Sequence, residues 1–402
     1  MELRNLKADE IPELIDHLDM VFEGTPRELF ERAYGANPTS DPSQTKVIIE
    51  DGRIVSAVRV LSKPVRIGST RVEMGGVGGV STNPDYRGRG HSTALLEAQL
   101  QDMDRRGYDI SMLFTGLTGF YGRLGYEPFP EHSSSIVVPE SVEQIESPYA
   151  VRPCDYEADV EALIACYDQF NASRTLSMVR EPIHWQRDAR YDYGDAMPWL
   201  VAEVDGRVVA YISGSPKRVH EACCLHGHLQ ALVSLARAAM AAAVAEEGVD
   251  SIACNLPFAH PFVDQMRRLS PTRISHTLGE GMMLRVVRLQ PLFEKLLVEF
   301  NRRLQQVGLA VAQPLTLGFE QAGQRVTLCV HGPEARVCPE EPDFTLDVSG
   351  REFFLLLCGA ATIDELADIL ALRGVCIPER YHQLLRALFP RQDAVFYSSD
   401  HF

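Results

Sequence analysis

Between residues 79 and 92 the chain reads Gly79-Val80-Ser81-Thr82-Asn83-Pro84-Asp85-Tyr86-Arg87-Gly88-Arg89-Gly90-His91-Ser92, and no other stretch restricts the fold so strongly. A β-rich run breaks at Asn83-Pro84, a loop with two glycines and two arginines follows, and a helical pattern then runs to a stop at Gly107. Strand, loop and helix in immediate succession aim several backbone N–H groups and a helix N-terminus at one point. Such a point attracts anions. Glycines let the backbone approach a pyrophosphate closely, and Arg87 and Arg89 add charge-assisted hydrogen bonds. A Rossmann fingerprint needs G-x-G-x-x-G with an acid about 20 residues on, and a Walker loop needs G-K-[ST]; the segment has neither. Taken alone, the loop is equally compatible with a connector bearing solvated arginines.

At 402 residues the chain exceeds one ordinary core, and roughly 150 residues per domain leads us to expect three domains. Hydrophobic residues at 45% and charged residues at 23% fit a soluble globular protein. The formal net charge of -16 repels phosphate backbones, so nucleic acid is not an expected partner, whereas a cationic acceptor would be drawn inward. A plain acidic surface accounts for the same number. The first ten residues mix Glu2, Arg4, Lys7 and Asp9 with few apolar residues, unlike a signal peptide. The longest uncharged apolar run, residues 353–361, is far short of the ~20 residues a membrane helix needs, so a cytoplasmic location and no membrane partner are expected. Nine cysteines without paired spacings point to reduced thiols and not to a disulfide framework.

Along the chain, residues 5–34 read as two helices, and Asp51-Gly52 marks a hairpin between β-rich runs at 46–49 and 53–61. A strand at 77–82, a helix at 91–106, a strand at 110–115 and a short helix at 120–125 follow. Residues 139–153 are richer in Pro, Ser and Glu, and a boundary is placed there. A similar order of elements then recurs: a helix at 158–171, a hairpin about Asp205-Gly206, an Ala-rich helix at 229–247, a strand at 251–255 and a helix at 261–269. From residue 289 a small α+β segment runs into an irregular tail, 390–402.

The loop resembles the cofactor loop [RQ]-x-x-G-x-[GA] of the GCN5-related N-acetyltransferases, with Ser92 in place of the usual Gly or Ala. Phe120-Tyr121-Gly122-Arg123-Leu124-Gly125-Tyr126 resembles the F-Y-x-x-x-G-[FY] segment of the same superfamily. The resemblance implies acetyl-CoA as co-substrate, with Val80, Ser81 and Thr82 along the pantetheine arm and Arg87, Gly88, Arg89, Gly90, His91 and Ser92 at the pyrophosphate. A tyrosine can protonate the departing thiolate as general acid. In most of the superfamily that residue corresponds to Tyr121.

Over its full length the chain resembles the Eis-type (enhanced intracellular survival) acetyltransferases. That resemblance implies tandem GNAT-fold domains at 1–140 and 141–289, the second degenerate and without cofactor, then a domain at 290–402 similar to sterol carrier protein 2. Pro342-Asp343-Phe344-Thr345-Leu346-Asp347-Val348 and residues 384–390 carry the last likeness. It further implies Tyr126 as general acid, the terminal carboxylate of Phe402 as general base, an amine acceptor of aminoglycoside, polyamine or lysine type, and a homo-hexamer. The competing expectation is a lipid- or sterol-binding protein with a vestigial acetyltransferase domain, for which residues 290–402 would need an open interior. No metal is expected; Cys224, His226 and His228 alternate as strand residues on one face would, but no second ligand pair has zinc spacing.

Overall fold

Residues 1–139, 149–187, 197–270, 274–309 and 311–402 are described by a computed structural model of the chain. The first segment runs β1 (Glu2–Asn5), α1 (Ile11–Val21), α2 (Arg27–Phe30), β2 (Thr45–Glu50), β3 (Arg53–Ser62), β4 (Val65–Ile67), β5 (Thr70–Val72), β6 (Met74–Thr82), α3 (His91–Arg106), β7 (Ile110–Phe114) and α4 (Thr118–Gly122). Asp51 and Gly52 both have positive φ, which matches the twist of a tight hairpin, so β2 and β3 pair antiparallel as expected. Helix α3 has the bounds predicted from sequence: Gly107 takes a left-handed φ of 87° and its N–H caps Asp104 and Met103, while Leu95, Leu96, Gln99 and Met103 form the buried face. Strand β1 is not apparent in the sequence, because it is only four residues long and mostly exposed, with no apolar alternation.

The chain continues through β8 (Glu127–Val137), β9 (Ala150–Pro153), α5 (Tyr156–Asn171), β10 (Pro198–Val204), β11 (Arg207–Ser215), β12 (Arg218–Cys224), α6 (Ala231–Ala245), β13 (Ser251–Cys254), α7 (Pro261–Leu269) and β14 (Ile274–Val286). It closes with α8 (Leu289–Gln306), β15 (Val311–Gln321), β16 (Gln324–Gly332), β17 (Glu334–Cys338), β18 (Phe344–Leu346), α9 (Gly350–Leu357), α10 (Ile363–Leu372) and α11 (Glu379–Leu388). Packing divides these elements into two units: Met1–Phe129 with Glu280–Gln392 and Phe402, and Pro130–Gly279 with Asp393–His401. The boundary read at 140 falls on residues 140–148, outside the described residues. The last third of the chain does not stand apart, since residues 280–392 pack with residues 1–129.

In the first unit the strand order is β1-β2-β3-β6-β7-β14, with β6 and β7 parallel and Met282–Val286 of β14 antiparallel to β7. The later segment is tied to this sheet by charge. Asp109 is fully buried, accepts from Glu73 N at 2.9 Å, and pairs with Arg288 and Lys295. Burial alone would raise the Glu299 carboxyl, but hydrogen bonds from Arg302, Ser69 and Arg303 outweigh it and hold the group at about 2. The second sheet of this unit, β17-β16-β15-β18, is covered by an aromatic core in which Phe293, Phe300, Phe319, Phe353 and Phe389 meet ring to ring. Phe353, Phe354, Leu356 and Leu357 are all buried.

The second unit is a sheet of β8, β13, β12, β11, β10 and β9 with α5, α6 and α7 packed on it around Leu163, Tyr167, Leu235, Met240 and Phe262. Chain ends usually fray; here residues 393–401 are fastened. Val395 N donates to Thr175 O, and Tyr397 OH donates to Asn171 Oδ1 at 3.0 Å. Arg180, its side chain 1% exposed, donates through Nε and Nη2 to Asp400 at 2.8 Å and through Nη1 to Glu221 at 3.0 Å. Its guanidinium lies 3.8 Å from the Tyr167 ring centroid, and Tyr211 OH donates to Glu221. Arg180→Met leaves two buried carboxylates uncompensated, and we expect it to cost about 3–5 kcal/mol of stability, read as a lowered urea midpoint.

Candidate active site

Pairing between β6 and β7 begins at Met74 and Ile110 and stops at Val77 and Leu113. Beyond that point β6 continues to Thr82 on β3 alone, so one edge of its last residues has lost its strand partner. A register shift between Ala57 and Arg59 of β3 faces the same stretch, and Gly79 there has a φ of 58°. Any Cβ at Gly79 would collide with the Tyr34 hydroxyl, so the bulge requires glycine.

A cleft of about 720 Å³ opens beside this strand end. Val80, Ser81 and Thr82 of β6, Arg87, Gly88, Gly90, His91 and Ser92 of the loop and helix start, and Leu117, Phe120, Tyr121 and Arg123 in and beside α4 line it. Gly88 and Gly90 have φ of 77° and 82°, and Gly90 starts α3 with no side-chain cap and no acid in the first turn. The first N–H groups of a 16-residue helix therefore keep their capacity to bind an anion, and the helix dipole favours one. This donor set fits the pyrophosphate of acetyl-CoA, and the open edge of β6 fits the amide groups of its pantetheine arm. The Ser92 hydroxyl is hydrogen-bonded to Thr82 Oγ1 at 2.7 Å, which in turn meets Ser56 Oγ at 2.9 Å, so the motif's one departure ties the helix start to the strand.

Eight of the nine expected cofactor residues line the cleft. Arg89 does not: it reaches Glu50 at 3.4 Å and Asp85 O at 3.1 Å and lies over the Tyr86 ring. Its alternation with Arg87 across Gly88 turns the two side chains to different partners, and Arg87 donates to Thr82 O at 3.3 Å. The missed cation of the cleft is Arg123, which lies inside the second quoted segment and is legible there as a charge beside Phe120.

The two tyrosines of that segment have different environments. Tyr121 lines the cleft, whereas Tyr126 is 1% exposed and is not among its walls. Ser111 Oγ commits its single hydrogen to Gly75 O at 2.9 Å, so Tyr126 is the donor in its 2.8 Å bond to Ser111. Burial pushes both phenols up to about 12, which keeps them protonated near neutral pH. Phe402 lies against β6: a Cβ at Gly76 would come within 2.6 Å of its ring, and one at Gly78 within 3.4 Å of its carbonyl carbon. The Phe114 ring meets the Phe402 ring edge-on at 5.5 Å, and Lys63 Nζ sits 5.9 Å from that ring's centroid. The terminal carboxyl group is thus beside Gly78, the first residue past the parting of β6 from β7.

His17 on α1 is buried against the same strand, its Nε2 3.0 Å from Ser81 Oγ. Desolvation lowers it from 6.5 to about 4, so the folded chain keeps the ring neutral where an unfolded chain would protonate it. Between those two values the unfolded state binds the extra proton, and stability falls as pH drops through this window. The urea midpoint of the wild type is expected to decline from pH 6.5 to 4 more steeply than that of His17→Gln.

Two other sequence expectations meet a different arrangement. Strand β12 ends at Cys224 and a turn follows, so the alternation that would bring Cys224, His226 and His228 to one face does not continue; His228 instead meets Tyr149 OH at 3.1 Å. Cys329 and Cys338 form a disulfide between β16 and β17, with a Cα–Cα distance of 6.0 Å, against the expectation of reduced thiols throughout. The other seven cysteines are unbonded. No helix among the described residues is long and apolar enough to cross a membrane.

Residues 2–129 match the family model for the acetyltransferase (GNAT) domain. An uncharacterized N-acetyltransferase of Streptomyces avermitilis is 26% identical over 224 residues, 52% of this chain and 54% of that protein. The match thus spans about half the length of that relative. Among solved structures, a probable N-acyltransferase of unknown function from Enterococcus faecalis V583 aligns over 100% of this chain and 99% of its own, with a TM-score of 0.75 and 18% identity. A GCN5-related N-acetyltransferase from Anabaena variabilis (TM-score 0.71, 19%) and Eis1 from Mycobacterium abscessus (0.67, 18%) align over 100% of both chains. The whole chain shares the mixed α+β fold of these proteins, and its residues 2–129 carry an acetyltransferase (GNAT) domain.

Proposed function

We propose that the chain is an acetyl-CoA-dependent N-acetyltransferase that acts on a primary amine. The observation that carries this is the meeting, at the end of β6, of an unpaired strand edge, an uncapped helix N-terminus and the Phe402 terminus. Acetyl-CoA supplies the activated acetyl thioester. The strand edge orients it, the glycine loop and Arg87 hold its pyrophosphate, and the chain's own acids and bases move the protons.

A cationic amine must lose a proton before it can attack. The Phe402 carboxylate takes that role in the proposal, because its carbonyl carbon lies beside Gly78, where β6 has parted from β7. For the general acid we favour Tyr121 over the Tyr126 that the Eis-type resemblance suggests. Tyr121 faces the cleft with its proton retained, while the Tyr126 proton is committed to Ser111. Tyr126 then acts as a positioning residue, linking the residue before β8 through Ser111 to Gly75 next to the parting strands. The net charge of -16 favours a cationic acceptor such as a polyamine, an aminoglycoside or a lysine side chain.

Residues 290–402, similar to sterol carrier protein 2, share its ancestry in this proposal and serve a packing role. The filled aromatic core there supports packing over lipid carriage. The test is thiol release from acetyl-CoA by the untagged protein against a panel of polyamines, aminoglycosides and lysine peptides, with light scattering to check the hexamer implied by resemblance. Release stimulated by one amine class is the expected result. Coenzyme A binding without any stimulation would leave the acceptor reading unsupported, and saturable lipid uptake without coenzyme A binding would favour the carrier.

A further inference from the structure

We infer that Arg123 reads the third phosphate of coenzyme A, the phosphomonoester on its ribose, and thereby separates coenzyme A from its dephospho form. This rests on the acetyltransferase reading above. Coenzyme A presents two kinds of anion, an internal pyrophosphate and a terminal phosphomonoester, and the cleft presents two kinds of donor. The first is the loop at the start of α3, where Gly88, Gly90 and Arg87 line the cleft beside a helix N-terminus without a side-chain cap. Such a set suits a pyrophosphate.

The second is Arg123, which lines the same cleft from a different element, at the C-terminal end of α4. Its guanidinium lies 5.4 Å from the Phe120 ring centroid, which steadies the planar group at the cleft. Among the described residues it makes no ion pair, although the chain holds 55 Asp and Glu against 39 Lys and Arg. Arg89, by contrast, is engaged with Glu50 and does not line the cleft. A cation lining an anion cleft and left without an acid is suited to a ligand anion. A phosphomonoester is the better match, because it carries more charge than each diester phosphate and accepts the two parallel bonds of a guanidinium fork.

The experiment is calorimetric titration of the full-length protein with coenzyme A and with dephospho-coenzyme A, for the wild type, Arg123→Ala and Arg87→Ala. The wild type is expected to bind coenzyme A about tenfold or more tightly than the dephospho form, as one charge-assisted bond at a partly solvated site allows. Arg123→Ala should erase that preference by weakening coenzyme A alone, and Arg87→Ala should weaken both ligands alike. Equal weakening of both ligands by Arg123→Ala, or no change in either, would overturn the assignment while leaving the acetyltransferase reading in place. A wild type that binds neither ligand would overturn both. Because Arg123 is exposed, its alanine variant should keep the wild-type thermal midpoint, so a lost preference cannot be charged to misfolding.

Discussion

Tyr121→Phe is expected to lower kcat for acetyl transfer by roughly 10²–10⁴ while changing the Kd for coenzyme A by no more than about twofold. The hydroxyl is the only group removed, and the ring that packs against Phe120 and Tyr126 stays. If the phenol donates to the departing sulfur, its loss is felt in the transition state and not in the binary complex. Tyr126→Phe tests the alternative with the same two measurements. It removes the donor to Ser111 and is expected to reduce kcat by no more than about tenfold, with a drop in thermal midpoint from the unsatisfied buried hydroxyl. If Tyr126→Phe is the more damaging of the two for kcat, Tyr126 is the acid and Tyr121 a wall of the cleft.

A C-terminal extension should be as harmful as the loss of the acid. Adding even a few residues after Phe402 turns its carboxylate into an amide, which is neither charged nor basic. Turnover should then fall by roughly 10²–10⁴, the usual worth of a general base, with coenzyme A affinity retained. The same tag at the N-terminus is expected to leave turnover unchanged. The pH profile separates a chemical from a structural cause: only loss of the base removes the acidic limb of kcat. Equal activity of the two tagged proteins would take Phe402 out of the mechanism and leave the amine's own deprotonation to solvent.

The loop and helix from Arg87 to Gly107 were legible in the letters because glycine punctuates both ends and the apolar spacing between is regular. The hairpins at Asp51-Gly52 and Asp205-Gly206 were legible for the same local reason. Strand β14 was not, since residues 275–278 are exposed and break the alternation that marks a half-buried strand. The cross-strand bond of Cys329 and Cys338 has no spacing signature, and it is set by a register that local sequence does not specify. Nothing in the string Phe120 to Tyr126 tells which tyrosine faces the cleft, because that depends on Ser111 and Gly75, which other strands bring beside them. The position of Phe402 on a glycine surface likewise comes from long-range packing, and only family resemblance drew attention to it.

The ion pairs of Asp109 with Arg288 and Lys295 bear on how a gene for such a protein may be cut. The homology-defined domain ends at residue 129, yet the strand that completes its sheet beside β7 and the cations that neutralise its buried aspartate come from beyond residue 280. A truncated product covering residues 1–129 would carry an orphaned carboxylate under an uncovered strand edge, a combination that invites aggregation. The segment that matches the family model and the packed unit that contains it are, in this chain, different objects, and transplanting that segment into another protein would require carrying residues 280–295 with it.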